Sequence, residues 1–170
     1  MKRQTLPWLA AATLACTALF STTTLALEAG QRAPELQAQG PQGPVRLAQF
    51  KGQVVFVDFW ASWCGPCKLS FPWMNEMHTK YAAKGLRIVA VNLDQRREDA
   101  DRFLAQTPAQ FSLAYDASGQ TPKAYEVKSM PSSTLLDREG RVLGQHSGFR
   151  DSDRRELENR IRAALGEPAL

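Results

Sequence analysis

Cysteine and histidine are scarce in this chain. Its 170 residues include three cysteines and two histidines. A small exported domain held together by disulfides would carry more cysteines, spread along the chain. A structural zinc site needs four ligands, and Cys64, Cys67, His78 and His146 do not stand at a recognisable zinc spacing. These shortages argue against both a disulfide-dependent scaffold and a zinc domain.

The chain also lacks a strong excess of one charge. Its formal net charge is +4, and Lys2 and Arg3 supply two of those charges, so a chain that starts at Leu27 would carry +2. The remaining basic residues are interleaved with acids, as in DQRREDADR and DSDRRELENR. Such runs are typical of solvated helix faces, and we expect no nucleic-acid partner.

No acidic residue precedes Glu28, and the N-terminus has the pattern of an export signal. A charged start is followed by an apolar run at residues 6–20 and a polar exit of small residues before Leu27. The run is 15 residues long, whereas a spanning helix needs about 20. We predict a signal peptide at 1–26 and a single domain at 27–170, with an uncleaved anchor through 6–20 as the alternative. Export to the periplasm would place Cys64 and Cys67 in an oxidising compartment.

The rest of the chain alternates strand and helix patterns. Residues 53–60 are a continuous β-branched and aromatic run, typical of a buried central strand. Residues 65–84 predict a helix from the recurrence of Leu69, Trp73, Met77 and Tyr81, with a kink at Pro72. The further predictions are a turn at 40–44 between two short extended pieces, strands at 85–93 and 111–116, helices at 97–106 and 121–127, a hairpin of 132–137 with 141–148, and a last helix capped by Asp151 or Ser152.

This order predicts an α/β fold with one mixed central sheet and helices on both faces. The first half implies parallel strands joined by crossovers, and the end of the chain implies an antiparallel hairpin followed by a helix.

The chemistry of the chain centres on the segment WCGPCK at residues 63–68. Cys64 follows the predicted strand and opens the predicted helix, where free N–H groups and the helix dipole favour a thiolate. Cys67 lies one turn further on the same face, and Gly65 and Pro66 keep the turn compact. Such a pair can attack a substrate disulfide through Cys64 and release the reduced product through Cys67.

Asp58 interrupts the apolar strand six residues before Cys64. A carboxyl buried there should have a raised pKa, and near the pair it could accept the proton of Cys67. The alternative is a solvent-facing residue at a strand end. For the cysteines themselves, two thiolates would also suffice for Cu(I) delivery, and a structural staple over so short a loop would add little stability.

VVFVDFWASWCGPCK resembles the active-site strand and loop of the thioredoxin superfamily, and MPSSTLLDREGRV resembles its cis-proline segment and following hairpin. The export signal, the GLRIVAVNLD strand and the long stretch before Pro131 are similar to the TlpA/ResA branch, which comprises exported thiol-disulfide oxidoreductases. The resemblance covers residues 45–166. It implies a thioredoxin fold with an N-terminal extension and an inserted helix and strand at 97–116.

The resemblance implies a role for each site residue. Cys64 would be the attacking thiol, Cys67 the resolving thiol and Asp58 the buried proton acceptor. The substrate-binding residues would be Trp63, Gly65, Pro66, Met130 and Pro131, with Pro131 in the cis form and the Met130 backbone pairing with the substrate chain.

Three positions depart from the pattern. Thioredoxin has a lysine beside the buried acid, where this chain has Ala90. Many branch members have an acid three residues after the second cysteine, where this chain has Ser70. Members that act in cytochrome c maturation often have a glutamate after the cis-proline, where this chain has Ser132 and Ser133.

We therefore expect a periplasmic thiol-disulfide oxidoreductase that works in the reducing direction as a monomer and needs no cofactor or metal. Its expected partners are disulfide-containing periplasmic proteins and a membrane thiol electron donor of the DsbD/CcdA kind. Cytochrome c biogenesis is one setting for such a protein. A Cu(I) chaperone and a thiol peroxidase of the related redoxin group are the alternatives.

Overall fold

A seven-stranded mixed sheet forms the centre of the protein. The computed structural model describes residues 27–170, and the predicted signal at 1–26 lies outside the described residues. The strands are β1 Ala38–Gly40, β2 Gly43–Val45, β3 Val54–Trp60, β4 Leu86–Asn92, β5 Ser112–Tyr115, β6 Ser132–Leu136 and β7 Val142–Ser147. Their order is β2-β1-β5-β4-β3-β6-β7, with β3, β4 and β5 parallel and the other pairings antiparallel. The predicted mixed sheet is confirmed.

Residues 27–170 also form four α-helices and three short 3-10 turns. The helices are α1 Cys67–Tyr81, α2 Arg97–Gln106, α3 Gln120–Ala124 and α4 Arg154–Leu165, and the 3-10 turns are Leu47–Phe50, Ala82–Lys84 and Asp151–Asp153. The helix α4 ends at Gly166, whose φ of 82° is left-handed and readily adopted by glycine. No helix among residues 27–170 is long and apolar enough to cross a membrane.

The alternation of side chains along β3 divides the core into two clusters. All seven residues of β3 are buried, and successive side chains of a strand point to opposite faces of its sheet. One face packs Val54, Phe56 and Trp60 against α1, α2 and α4, and we call it the helix face. The other face packs Val55, Val57 and Phe59 against the N-terminal segment, Leu47–Phe50 and α3, and we call it the extension face. Helices therefore cover both faces, as predicted.

The N-terminal extension adds two strands to the sheet. The turn predicted at 40–44 joins β1 to β2, and Gln39 of β1 pairs with Tyr115 of β5. Gly43 has a φ of 123°, in the range that favours glycine. The Tyr125 hydroxyl donates a hydrogen bond of 2.8 Å to the carbonyl of Pro34, which fixes the extension to the segment after α3.

Two details of the helices correct the predictions. Leu69 does not share the buried face of Trp73, Met77 and Tyr81; its side chain is 49% exposed because Cys67, Ser70 and Phe71 occupy the inward positions of the first turn. The N-cap residue of α4 is Asp153 instead of Asp151 or Ser152, since Asp151–Asp153 form a 3-10 turn ahead of the helix. Pro72 lies inside α1, and the kink there stays a prediction.

Candidate active site

The two cysteines form a disulfide where the chain passes from β3 into α1. Their Cα atoms are 5.4 Å apart. A turn brings the chain from the end of β3 to Cys64, whose N–H donates to the carbonyl of Ala61 at 3.0 Å. Cys67 is the first residue of α1. Cys64 is 4% exposed and Cys67 is fully buried, so Cys64 is the more accessible of the two cysteines.

The N-terminus of α1 stabilises negative charge at Cys64. The backbone N–H of Cys67 donates to Cys64 Sγ at 3.3 Å. This N–H is one of the helix-terminal donors that lack a partner within the helix, and the helix dipole adds a partial positive charge at the same place. This position favours a thiolate at Cys64 once the disulfide opens.

Asp58 lies at the centre of the sheet, on the helix face. It is 3% exposed, and it lies between Phe56 and Trp60 in the alternation of β3. Burial raises its pKa well above the ordinary aspartate value. Its Oδ2 atom has no hydrogen-bond partner among residues 27–170. The prediction of a buried acid is confirmed, and the alternative of a solvent-facing residue is wrong.

The neighbours of Asp58 across the sheet carry no charge. Its partner on β4 is Ala90, the position that the sequence comparison with thioredoxin indicated, and its partner on β6 is Ser133. A methyl group and a hydroxyl cannot neutralise a carboxylate as a lysine would. Neither residue paired with Asp58 therefore carries a positive charge that would lower its raised pKa.

The residues around the disulfide present an apolar surface to solvent. Trp63 is 71% exposed, and Gly65 and Pro66 are exposed as well. Leu69 adds a second exposed apolar side chain on the first turn of α1. Trp60, by contrast, is fully buried against Phe71 and Phe103, so it packs in the core.

The segment before β6 brings Met130 and Pro131 to the same end of the sheet as the cysteines. Ser132 pairs with Phe59 in the antiparallel register of β3 and β6, so Pro131 lies level with the end of β3 that leads to Cys64. The Met130–Pro131 peptide bond is cis, as predicted. The Pro131 carbonyl accepts a hydrogen bond of 2.7 Å from the N–H of Gly148.

Sequence reasoning missed Asp94, which holds the loop before the disulfide. Asp94 is 7% exposed and follows β4. Its carboxylate accepts hydrogen bonds from the Ser62 N–H at 2.9 Å, the Ser62 hydroxyl at 2.9 Å and the Asn92 side-chain amide at 2.8 Å. The sequence did contain a signal for this role, because Asp94 follows β4 as the cysteine loop follows β3. The carboxyl ends of these two parallel strands meet at one edge of the sheet.

Residues 27–170 contain no group of three or more histidine, cysteine or acidic side chains placed to hold a metal ion. Any Cu(I) bound to the two sulfurs would therefore have no third ligand of that kind within this part of the chain.

A strand, a CGPC turn and a helix on a mixed sheet, with a cis-proline at the same end, define a thiol-disulfide oxidoreductase of the thioredoxin fold. The family model named Redoxin matches residues 28–161. The chain belongs to the redoxin family of the thioredoxin superfamily, and within it to the ResA-like oxidoreductases.

Two curated relatives show the likeness in sequence. The chain is 34% identical over 131 residues to the thiol-disulfide oxidoreductase ResA of Bacillus thuringiensis subsp. konkukian, with 76% of each chain covered. It is 33% identical over 124 residues to ResA of Geobacillus thermodenitrificans, with 72% of this chain and 71% of the relative covered.

Two solved structures show the likeness in fold. A Chlorobium tepidum protein, named as a candidate thiol:disulfide interchange protein DsbE, is 56% identical with a TM-score of 0.81, covering 82% of this chain and 99% of the other. The thioredoxin domain of a thiol-disulfide oxidoreductase from Bacteroides vulgatus is 25% identical with a TM-score of 0.70, covering 79% and 99%. The thioredoxin fold that the sequence predicted is confirmed.

Proposed function

We propose that this oxidoreductase reduces disulfides of periplasmic proteins and is itself kept reduced by a thiol donor in the membrane. The observation that supports the direction is the sparse hydrogen bonding of Cys64 Sγ, which leaves a thiolate there with little stabilisation beyond the N-terminus of α1. Among residues 27–170, the Cys67 N–H is the hydrogen-bond donor to Cys64 Sγ, and no side chain donates to it. A pair whose thiolate gains little stabilisation favours its disulfide, so the dithiol is a good reductant.

The proposed reaction begins with attack by Cys64. The Cys64 thiolate attacks one sulfur of the substrate disulfide, forms a mixed disulfide and expels the other substrate sulfur as a thiolate. Cys67 then loses its proton and attacks Cys64, which forms the Cys64–Cys67 disulfide and releases the second substrate sulfur. The substrate gains two electrons and the cysteine pair loses two. The cycle needs no cofactor beyond the pair.

Asp58 is the proposed acceptor of the Cys67 proton. Cys67 is fully buried, so its thiol needs a base inside the protein when it attacks. Asp58 lies on the face of β3 that α1 covers, and its raised pKa makes it a stronger base than an exposed aspartate. The absence of a cation at Ala90 and Ser133 supports this role, because a bound cation would lower that basicity.

The proposed substrate surface is the apolar patch beside the disulfide. Trp63, Gly65 and Pro66 surround Cys64, and the backbone of Met130 would pair with an extended substrate chain next to Pro131. A flat, exposed surface of this kind suits a protein substrate better than a small molecule. Apocytochrome c fits this class of substrate, and cytochrome c biogenesis is the proposed setting.

The signal pattern at 1–26 supports the periplasm as the compartment, with residues 6–20 as a tether if the signal is retained. An oxidising compartment would drive the pair to its disulfide. A reductase there needs a steady supply of electrons, which is why a membrane donor is part of the proposal. We expect the chain to act as a monomer.

The test is the capture of substrates by Cys67→Ser. This variant keeps the attacking thiol and lacks the resolving one, so it should accumulate mixed disulfides with periplasmic proteins through Cys64. The matched control is Cys64→Ser, which should capture none. Absence of adducts in the first variant would contradict the proposed roles, and fast peroxide turnover or Cu(I) retained against a chelator would favour the alternatives.

A further inference from the structure

A row of polar side chains crosses the helix face from Asp58 to the edge of the sheet. In the β3–β6 register Asp58 lies opposite Ser133, and in the β6–β7 register Ser133 lies opposite His146. Residues directly opposite in an antiparallel pair point to the same face, with Cβ atoms about 4.5–5.5 Å apart. The three side chains therefore follow one another across three neighbouring strands, within reach of direct or single-water hydrogen bonds.

The outer part of this row borders a cavity that opens between α4 and β7. The cavity has a volume of about 370 Å³, and its lining includes Phe56, Ser133, Leu135, His146, Leu157 and Arg160. Nearly half of the Arg160 side chain lies in solvent, so the cavity opens to the outside at that residue. Its size and its polar lining residues are sufficient to hold water.

The charged groups that face His146 are an acid and a base on the elements packed against β7. Asp153, on the 3-10 turn before α4, places Oδ2 3.4 Å from His146 Nε2. Burial raises the pKa of Asp153, but hydrogen bonds from the Arg150 N–H and the Ser152 hydroxyl outweigh that effect and lower it overall. Arg160 on α4 is paired with Glu156 at 2.5 Å. The Asp153 carboxylate therefore lies beside the ring that would receive the proton.

We propose that Ser133 and His146 carry the proton that Asp58 accepts from Cys67 out to solvent through this cavity. The inference rests on the proposed function, because it gives the buried acid of that reaction a way to be reset. Both residues act through Asp58 and not on the sulfurs. Asp58 Oδ2 lacks a partner among residues 27–170, and Ser133 is the hydroxyl on the strand next to it.

The proton balance is complete at each step. When Cys67 attacks, its proton moves to the Asp58 carboxylate, and the mixed disulfide breaks as the Cys64–Cys67 bond forms. In the same step the Ser133 hydroxyl takes that proton from Asp58 while it gives its own to a ring nitrogen of His146, so that attack by Cys67 and transfer along the row are coupled. The imidazolium, held by Asp153, then releases one proton to solvent, and water protonates the departing substrate thiolate. All side chains return to their starting forms.

The experiment measures the resolution step alone. The reduced full chain is mixed with excess glutathione disulfide and quenched with acid, and mass spectrometry counts the chains that carry glutathione on Cys64. The decay of this species gives the rate at which Cys67 resolves it. The rate is measured in H₂O and D₂O between about pH 5 and 9, where a histidine changes its charge.

The proposal predicts slower resolution in Ser133→Ala and His146→Ala. We expect a loss of about tenfold, below the roughly 10²–10⁴-fold effect of a group that transfers the proton directly. The solvent isotope effect should rise, since proton release then limits the rate. Ser133→Thr should restore the rate because it keeps the hydroxyl, and added imidazole should rescue His146→Ala. The reduction potential should not change in either variant.

Leu143→Ala is the control, because it alters the same cavity wall without removing a proton-transfer group. Wild-type rates in His146→Ala across the pH range, or a slow rate that imidazole leaves unchanged, would overturn the relay. A wild-type chain that forms no glutathione adduct would instead contradict the proposed function, so the two failures are distinguishable.

Discussion

The same strands form the helix face and the extension face, and the residues of the proposed reaction lie on the helix face. On the extension face β3, β4 and β6 contribute an apolar set, which comprises Val55, Val57, Phe59, Val89, Val91 and Leu136. On the helix face the same strands place Asp58 and Ser133 among apolar neighbours, under the helix that carries Cys67. The period of two along a strand thus lets one segment serve packing and reactivity independently.

Independence of the faces has an energetic basis. A buried apolar side chain contributes to stability through its removal from water and its close contacts. An unpartnered buried carboxyl contributes unfavourably when it ionises. A change on the extension face should therefore alter stability and leave the reaction intact, whereas a change at Asp58 should slow the reaction.

The largest expected effect is on the extension face. Leu136→Ala removes a fully buried side chain, and such truncations cost about 2–5 kcal/mol of unfolding free energy. Urea unfolding of the oxidised chain measures that loss, and resolution of the glutathione adduct should keep its wild-type rate. The control Leu143→Ala removes a side chain that is 44% exposed and should change stability by about 0.5 kcal/mol or less. Slow resolution in folded Leu136→Ala would contradict the claim that the extension face affects stability and not the reaction.

The next effect is kinetic and belongs to the helix face. Asp58→Asn keeps the shape of the side chain and removes the base, so resolution by Cys67 should slow by roughly 10²-fold near neutral pH. The first step, attack by Cys64, should keep its rate. Rapid quenching with glutathione disulfide separates the two steps. If both steps match the wild type at every pH, Asp58 has no part in the reaction.

Two buried carboxylates, Asp58 and Asp116, should affect the pH dependence of stability in opposite ways. Asp116 is 4% exposed; burial raises its pKa, but hydrogen bonds from Ser118 and Thr121 outweigh that effect and lower the pKa overall. Asp58 Oδ2 has no such donor in the part of the chain that the structure describes, and burial raises the pKa of Asp58. Because a pKa that differs between the folded and unfolded states makes stability depend on pH, the two carboxylates should change the free energy of unfolding in opposite senses.

The direction of each pKa change decides what the amide substitution does. Protonated Asp58 is favoured by folding, so its contribution is full below the unfolded pKa and is lost as the pH rises through the folded value. Asp58→Asn should therefore gain stability over the wild type as the pH rises. Ionised Asp116 is favoured by folding, so Asp116→Asn should lose stability above the unfolded pKa and approach the wild type in acid. Thermal unfolding between about pH 3 and 8 tests both; equal pH dependence would contradict the burial of an unpaired Asp58.

The smallest expected effect is at the exposed patch. Trp63→Ala removes a side chain that is 71% exposed, so stability should change little. Its loss should weaken docking of a protein substrate by roughly 1 kcal/mol, about fivefold in KM. Reduction of insulin measures the effect, and the rate with glutathione disulfide serves as the control because that molecule is too small to use the patch. An equal loss with both substrates would assign Trp63 to the reactivity of Cys64 instead.

Much of the site could be predicted from local patterns. The apolar run of β3, the CGPC turn and the helix after it are contiguous, so Cys64, Cys67 and the buried Asp58 follow from one stretch of sequence. Ala90 as the neighbour of Asp58 follows from the parallel register of two consecutive strands. The cis form of Pro131 came from the family likeness and not from its local pattern.

The rest depends on contacts between distant segments. The disulfide and the sheet beneath it determine which side of the first turn of α1 faces inward. The four-residue recurrence in the sequence therefore wrongly placed Leu69 on the buried side of the helix. The pairing of β1 with β5 joins Gln39 to Tyr115 across much of the chain, which no local pattern encodes. His146 was considered only as a metal ligand, although counting outward from the turn at Glu139 and Gly140 would have placed it opposite Ser133.

The reduction potential of the Cys64–Cys67 pair tests the central claim most directly, because that claim is a helix face built to make the pair a reductant. The purified chain is equilibrated with glutathione or dithiothreitol buffers, and the fraction of disulfide is measured at each ratio. The single N–H that donates to Cys64 Sγ among residues 27–170 predicts a potential near about −270 mV, as for thioredoxin. A value near about −120 mV, as for a strong periplasmic oxidant, would contradict the reducing direction.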